Sequence, residues 1–258
     1  MKTTIIDDDL VIQHLSAAAA IEAVEAALTA QVNGTLTAPA RLRATLDDGD
    51  LVFTVGAFNE GYGLRVCDTV PTASDDQITV LWSRDGHLRC IVVGPELGRR
   101  STGALGAAAI DRLVKVDAQP FIGVLSAGQQ AYTQLWAIST LRHITAVQCY
   151  RRDAASNEAF AQRLRDELDL AVETSADPEA AVRGCDVLIL ATGATQPVVE
   201  DAEIGKTAPL SPWVQSVEVP ANFRNQYSHE QPSSPVTPWF RSPPSHRNPS
   251  WASIESCP

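Results

Sequence analysis

Phe121-Ile122-Gly123-Val124-Leu125-Ser126-Ala127-Gly128-Gln129-Gln130-Ala131 decides how the rest of the chain is read. Five apolar or small residues make a short buried strand, a small-residue turn follows, and residues 129–141 have helical character. The turn places Ser126, Gly128 and Ala131 on the three small-residue positions of a G-x-G-x-x-G/A pattern. At the second position a missing side chain lets the backbone approach a pyrophosphate. At the third, a small side chain lets helix and strand pack closely. The residues leading into the helix, Ser126, Ala127, Gly128, Gln129 and Gln130, are thus the expected diphosphate cradle, through backbone N–H groups at a helix start. Serine in place of the first glycine departs from the standard turn, and an ordinary strand-to-helix connection matches this much of the pattern too.

Downstream, strands and helices alternate. Residues 145–150 and 171–174 are read as strands, with a helix over 157–168 between them. Asp177-Pro178-Glu179 supplies a cap, a first-turn proline and a dipole-matched acid for another helix, which Gly184 closes. A fourth buried strand follows over 186–192. Alternation at this spacing predicts an α/β fold with a Rossmann-type parallel sheet over residues 118–206. The ribose-reading residue is expected about 20 positions beyond the turn. Arg151 and Arg152 stand 20 and 21 residues after Ala131, with no acid before them. Two forked guanidinium groups suit a 2′-phosphate, so NADP(H) is favoured over NAD(H); a solvated basic pair at a strand end would look alike. Thr192 and Gly193, after the fourth strand, are expected to border the cofactor at the carboxyl ends of the strands.

Upstream, residues 1–117 read as a mixed α/β substrate and dimerisation domain. Ser16 caps a helix through Val32, strands are expected over 51–55, 62–67, 78–82 and 88–93, and Asp85-Gly86 marks a hairpin. A small-residue helix is expected over 101–114. The last stretch, 207–258, reads as a Pro/Ser-rich irregular tail. Ten of the 16 prolines lie at or beyond residue 209 with no periodic apolar segment, as in a disordered extension. Loss of the ancestral reading frame near Lys206 would leave the same trace. A net charge of −11 argues against nucleic acid. No run approaches the ~18 apolar residues of a membrane span, and the acidic start lacks a leader's apolar core. Four of the five cysteines lie in apolar runs with no C-x-x-C spacing, which suggests free thiols in the cytoplasm. The five histidines have no ligand spacing, so no metal is expected.

The order of several segments resembles the ornithine cyclodeaminase/mu-crystallin family, from about residue 5 to about residue 205. They are Ala20-Ile21-Glu22-Ala23-Val24-Glu25-Ala26-Ala27-Leu28, Pro39-Ala40-Arg41, Gly63-Leu64-Arg65-Val66, Leu97-Gly98 with Thr102-Gly103-Ala104, the turn at Ser126–Ala131, and Ala181-Val182-Arg183-Gly184-Cys185-Asp186-Val187. The resemblance implies a homodimer and hydride transfer on a small amino or imino acid: ornithine to proline plus ammonia, or reduction of a cyclic imine. Some members simply bind NADPH. Arg41 matches the family's carboxylate-binding arginine. Arg65 stands where many members have a catalytic lysine, and an arginine there binds or orients rather than shuttles protons. Ser101 stands in place of a second arginine, and Thr102 would serve the cofactor or cap the helix. The family's aspartate would fall in the proline-rich stretch, where no residue matches it. Three possibilities stay open: an active enzyme, a non-catalytic NADP(H)-binding relative, and a truncated product that folds poorly.

Overall fold

The structure, a computed structural model, describes residues 3–70, 76–115, 118–194 and 197–199, and the backbone of Leu210–Ser211. Two sheets organise it. The first has six strands in the order β1-β6-β5-β4-β3-β2. These are β1 (Thr4–Ile6), β2 (Leu42–Leu46), β3 (Gly49–Phe58), β4 (Gly61–Asp68), β5 (Ile78–Ser83) and β6 (Leu88–Val93). Only β1 runs parallel to its neighbour; the rest form an antiparallel meander. The turn between β5 and β6 uses Gly86 at φ 82°, as the Asp-Gly signal requires.

The second sheet is wholly parallel, in the order β11-β10-β7-β8-β9. Its strands are β7 (Phe121–Leu125), β8 (Ala146–Tyr150), β9 (Val172–Ser175), β10 (Val187–Leu190) and β11 (Leu210–Ser211). With β7 counted as first, the order is 3-2-1-4-5, that of a doubly wound nucleotide-binding sheet. The chain leaves β7 towards β8 on one side and later returns to β10 on the other. The carboxyl end of β7 is therefore the switch point where such sheets bind ligands. Ile122, Val124, Val147, Val187, Leu188 and Ile189 are fully buried, as expected of strands covered on both faces.

Six helices complete the described fold: α1 (Asp8–His14), α2 (Ala17–Val32), α3 (Glu96–Leu113), α4 (Gln129–Leu141), α5 (Ala154–Leu168) and α6 (Pro178–Val182). Ala20 and Ile21 of α2 and Ala104, Ala107 and Ile110 of α3 share one core with Ala131, Leu135 and Ile138 of α4. Small residues let α3 and α4 cross closely; a Cβ at Gly103 would overlap the Thr133 carbonyl. Arg142, buried after α4, donates to Asp111 Oδ1 at 2.9 Å and to the carbonyls of Asp111 and Lys115 at 2.8 Å, closing the carboxyl end of α3.

The structure departs from the sequence expectations in five places, one being α5, which begins at Ala154 on an Asp153 cap and not at residue 157. Helix α3 begins at Glu96, not Ser101, because Asp8 Oδ1 accepts from the Glu96 N–H at 3.0 Å. Its first turn is then held by Glu96 with Arg99 at 3.0 Å and Arg100 at 3.6 Å. Elements β1, α1 and β2 have no counterpart in the sequence reading. The fourth strand of the parallel sheet stops at Leu190, two residues short of its expected end. Leu210–Ser211, assigned to the irregular tail, pairs in parallel with Leu188–Ile189 at the sheet edge. The other expectations for 207–258 lie outside the described residues.

The antiparallel sheet leaves large apolar side chains open, among them Val55, Phe58, Tyr62, Ile78, Leu81 and Val93. No single helix among the described residues is long and apolar enough to cross a membrane. The four described cysteines are free, Cys149 and Cys185 being buried.

Candidate functional site

A cleft of about 450 Å³ opens at the carboxyl ends of β7, β8 and β10. Its walls are Leu125, Ser126, Ala127 and Gly128 from the turn after β7, Tyr150, Arg151 and Arg152 from the end of β8, and Ala191–Ala194 with Val198 after β10. Three segments spread over residues 125–198 thus meet at the switch point.

The first wall is built for an anion. Helix α4 starts at Gly128, and no side chain caps it. Each other described helix has an acceptor at its start: Asp7 for α1, Ser16 for α2, Asp8 for α3, Asp153 for α5 and Asp177 for α6. The first-turn amides of α4 lack intrahelical partners, because Tyr132 N donates to Gly128 O as the first such bond. Gly128 has φ −99°, which any residue adopts, and a Cβ there would meet only Ser126 Oγ at 3.5 Å. Neither backbone conformation nor protein packing demands this glycine; its missing side chain keeps the cleft floor clear. Ala131 is fully buried, so the third small position serves helix–strand contact. Ser126 Oγ accepts from Gly128 N at 3.2 Å, and across the cleft Thr192 Oγ1 accepts from Ala194 N at 3.1 Å.

The second wall is short and stiff. Only Arg151, Arg152 and Asp153 separate β8 from α5. Asp153 is committed to the cap: it accepts from Ser156 N at 2.9 Å and from Ser156 Oγ, and these bonds hold its carboxyl below the usual range, with Arg151 adding a smaller effect. Asn157, buried beneath the loop, donates from Nδ2 to Cys149 O at 3.1 Å and Ser175 O at 3.3 Å, tying the ends of β8 and β9 to α5. Arg151 and Arg152 are exposed, and no described side chain hydrogen-bonds to either. Two cations therefore face a cleft that no Asp, Glu, Lys or His lines among the described residues.

Of the residues singled out in the sequence, Ser126, Ala127, Gly128, Arg151, Arg152, Thr192 and Gly193 come together here. Gln129 and Gln130 start α4 but face elsewhere. Gln129 Oε1 accepts from Arg163 Nη1, while Gln130 Nε2 donates to Thr133 Oγ1 at 3.3 Å. Thr102 spends its hydroxyl on Gly98 O at 2.9 Å inside α3, so it neither caps that helix nor lines the cleft. Ser101 likewise donates to Gly98 O, at 2.9 Å. Arg41 lies exposed just before β2. Arg65 belongs to a second groove of about 720 Å³ on the antiparallel sheet, with Phe58, Tyr62, Leu81 and Trp82. There its Nε donates to Gln77 Oε1 at 2.9 Å, and its guanidinium packs over Gly98, where a Cβ would lie 2.9 Å from Nη2. Tyr150 and Val198 were missed; they join the site only through the closing of the sheet. Among the described residues no group of His, Cys, Asp or Glu could hold a metal.

Comparison with known proteins agrees with this geometry. The model of the ornithine cyclodeaminase/mu-crystallin family matches residues 1–211. A Δ1-pyrroline-2-carboxylate reductase of Bacillus cereus is 28% identical over 153 residues, which are 59% of this chain and 45% of that protein. The ketimine reductase mu-crystallin of Macropus fuliginosus is 29% identical over 130 residues, 50% of this chain and 40% of that one. The matches thus span less than half the length of these curated relatives. Among solved structures, the Δ1-pyrroline-2-carboxylate reductase of Thermococcus litoralis, in complex with NADH and L-proline, superposes with TM-score 0.75 at 24% identity, covering 80% of this chain and 67% of that one. An archaeal alanine dehydrogenase dimer with bound NAD gives 0.74 at 23% identity, covering 81% and 67%. At these identities the likeness is one of fold.

Proposed function

Given that the chain belongs to the ornithine cyclodeaminase/mu-crystallin family, we propose that it binds NADP(H) in the cleft at the end of β7 and serves hydride transfer on a small amino or imino acid. The observation that carries this reading is the coincidence, in one cleft, of an uncapped helix start, a glycine that no described contact requires, and two arginines without a partner among the described residues at ribose-reading distance. Each feature has an ordinary explanation alone; together they supply what a phosphorylated dinucleotide needs. Ser126, the backbone of Ala127 and Gly128, and the amides of Gln129 and Gln130 would form the diphosphate cradle, Arg151 and Arg152 would hold the 2′-phosphate, and Thr192 and Gly193 would border the cofactor. The bound nicotinamide supplies or accepts a hydride at a carbon bearing nitrogen.

Arg65 and Arg41 are proposed to bind the substrate carboxylate. For Arg65 the support is electrostatic. Its described hydrogen-bond partner is the neutral amide of Gln77 and no described carboxylate bonds to it, so its guanidinium keeps donors for an anion in a groove that Glu60 and Arg89 also line. The open apolar face of the antiparallel sheet supports a homodimer through that sheet, and the free thiols support a cytoplasmic setting.

A second reading, a non-catalytic NADP(H)-binding relative, is favoured by one observation: among the described residues no carboxylate, lysine or histidine lines the cleft to move a proton. Titration of the purified chain with NADPH and NADH, followed by nicotinamide fluorescence, tests both. NADPH binding with turnover of ornithine, proline or a cyclic imino acid supports the first reading, and binding without turnover the second. Absence of binding removes both.

A further inference from the structure

We infer that the Ser126 hydroxyl is a hydrogen-bond relay, passing the Gly128 amide's donor capacity on to the diphosphate of the bound cofactor. The inference rests on the dinucleotide reading above and assigns this chain's departure from the glycine-rich turn a role in it.

A hydroxyl has one hydrogen and two lone pairs. Ser126 Oγ accepts from Gly128 N at 3.2 Å, which uses one lone pair. Its hydrogen goes to no described residue, and Ser126 lines the cleft within 3.5 Å of where a Cβ on Gly128 would stand. In a turn with glycine at position 126 the Gly128 amide would face the anion directly. Here the hydroxyl stands between them: N–H to Oγ, and O–H onward to a phosphate oxygen. The amide polarises the hydroxyl, so the second bond is strengthened by the first. A hydroxyl donating to an ionised phosphate forms one of the stronger classes of hydrogen bond.

The relay touches only the diphosphate, which sets its signature apart from the arginine pair. Ser126→Ala is expected to weaken NADPH and NADH alike, by about tenfold or more for one charge-assisted bond. It should leave adenosine 2′-monophosphate, which has no diphosphate, within about twofold. Ser126→Thr keeps the hydroxyl and should bind both dinucleotides nearly as the parent does. Ser126→Gly restores direct access to the amide and should recover most of the affinity that alanine loses. Titration of the four proteins with the three ligands, with unfolding temperatures measured alongside, reads this out. If alanine binds both dinucleotides as tightly as serine while the parent binds NADPH, the relay is wrong and the cofactor reading stands. If alanine weakens the 2′-monophosphate equally, the effect is structural and the relay is again wrong. If the parent binds none of the three, the cofactor reading itself fails.

Discussion

Replacing Arg151 and Arg152 together by alanine separates the two nicotinamide cofactors. Both side chains are exposed, and the loop that carries them is held by the Asp153 cap and by Asn157, neither of which the substitution touches. A charge-assisted hydrogen bond contributes about 1.5–3 kcal/mol, but exposure to solvent lowers each arginine's share to about 1–1.5 kcal/mol. The pair then contributes about 2–3 kcal/mol toward a 2′-phosphate, and the double variant should weaken NADPH by about 30- to 150-fold. NADH has no 2′-phosphate and should change by less than about threefold, the remnant being a general loss of positive potential. Fluorescence titration at about 50 mM and about 300 mM salt adds a check. The discrimination should narrow as the Debye length shortens, because the contacts are exposed. It should also narrow below pH ~6, where a phosphate monoester loses its second charge. Equal losses for the two cofactors would refute the reasoning, and so would a parent protein that prefers NADH.

Three further outcomes follow from the scaffold. Gly103→Val must push α3 away from the Thr133 backbone and should cost about 3 kcal/mol in denaturant unfolding, whereas Ser101→Val on the exposed side of the same helix should stay within about 0.5 kcal/mol; similar values for both would count against the close helix crossing. Arg142→Met leaves the α3 carbonyls and the partly solvated Asp111 carboxylate without their donor, with an expected loss of about 2–4 kcal/mol and a fall in Tm of roughly 5–12 °C; a fall under about 2 °C would contradict that role. Burial pushes the Cys149 thiol up to about 11; burial and Glu167 push the Tyr132 hydroxyl up to about 12. The unfolded chain ionises these groups at their ordinary, lower values, so it releases protons first as pH rises. Stability is therefore complete below pH 9 and falls between pH 9 and 12, and Cys149→Ala should flatten the part of a Tm-against-pH curve between 9 and 11.

The parallel sheet was legible because its physics is local. Strands buried on both faces read as continuous apolar runs, as Ile122, Val124, Val187 and Ile189 do, and α2 and α6 announce themselves through Ser16 and Asp177, whereas the Asp153 cap that starts α5 at Ala154 was passed over. The antiparallel half was less legible where burial was weak. Every residue of β2 is exposed, so its sequence carries no alternation, and β1 has only three residues. The start of α3 escaped notice because its first turn is charged. Glu96 pairs with Arg99 and Arg100, and Arg100 also donates to the Leu15 carbonyl and lies 4.6 Å from the Trp136 ring, contacts no local pattern reveals. In the site, spacing alone found the turn, the arginine pair and Thr192. Tyr150 and Val198 could not be found that way, since what qualifies them is proximity created by strand order.

The described residues also separate holding a cofactor from using it. Everything proposed to hold the dinucleotide lies between Ser126 and Gly193, on a sheet whose core is complete and whose loops are capped or clamped. The arginines proposed for the substrate lie on the other sheet, Arg41 exposed and Arg65 against Gly98, on a scaffold whose apolar face is still open. None of the apolar side chains exposed on that face lines the nucleotide cleft. Cofactor affinity should thus follow the integrity of the parallel sheet, and turnover should follow whatever covers the antiparallel one. A protein of this kind can retain the first after losing the second, because the donors that bind phosphate are mainly backbone amides, which substitution of the substrate-side residues cannot remove.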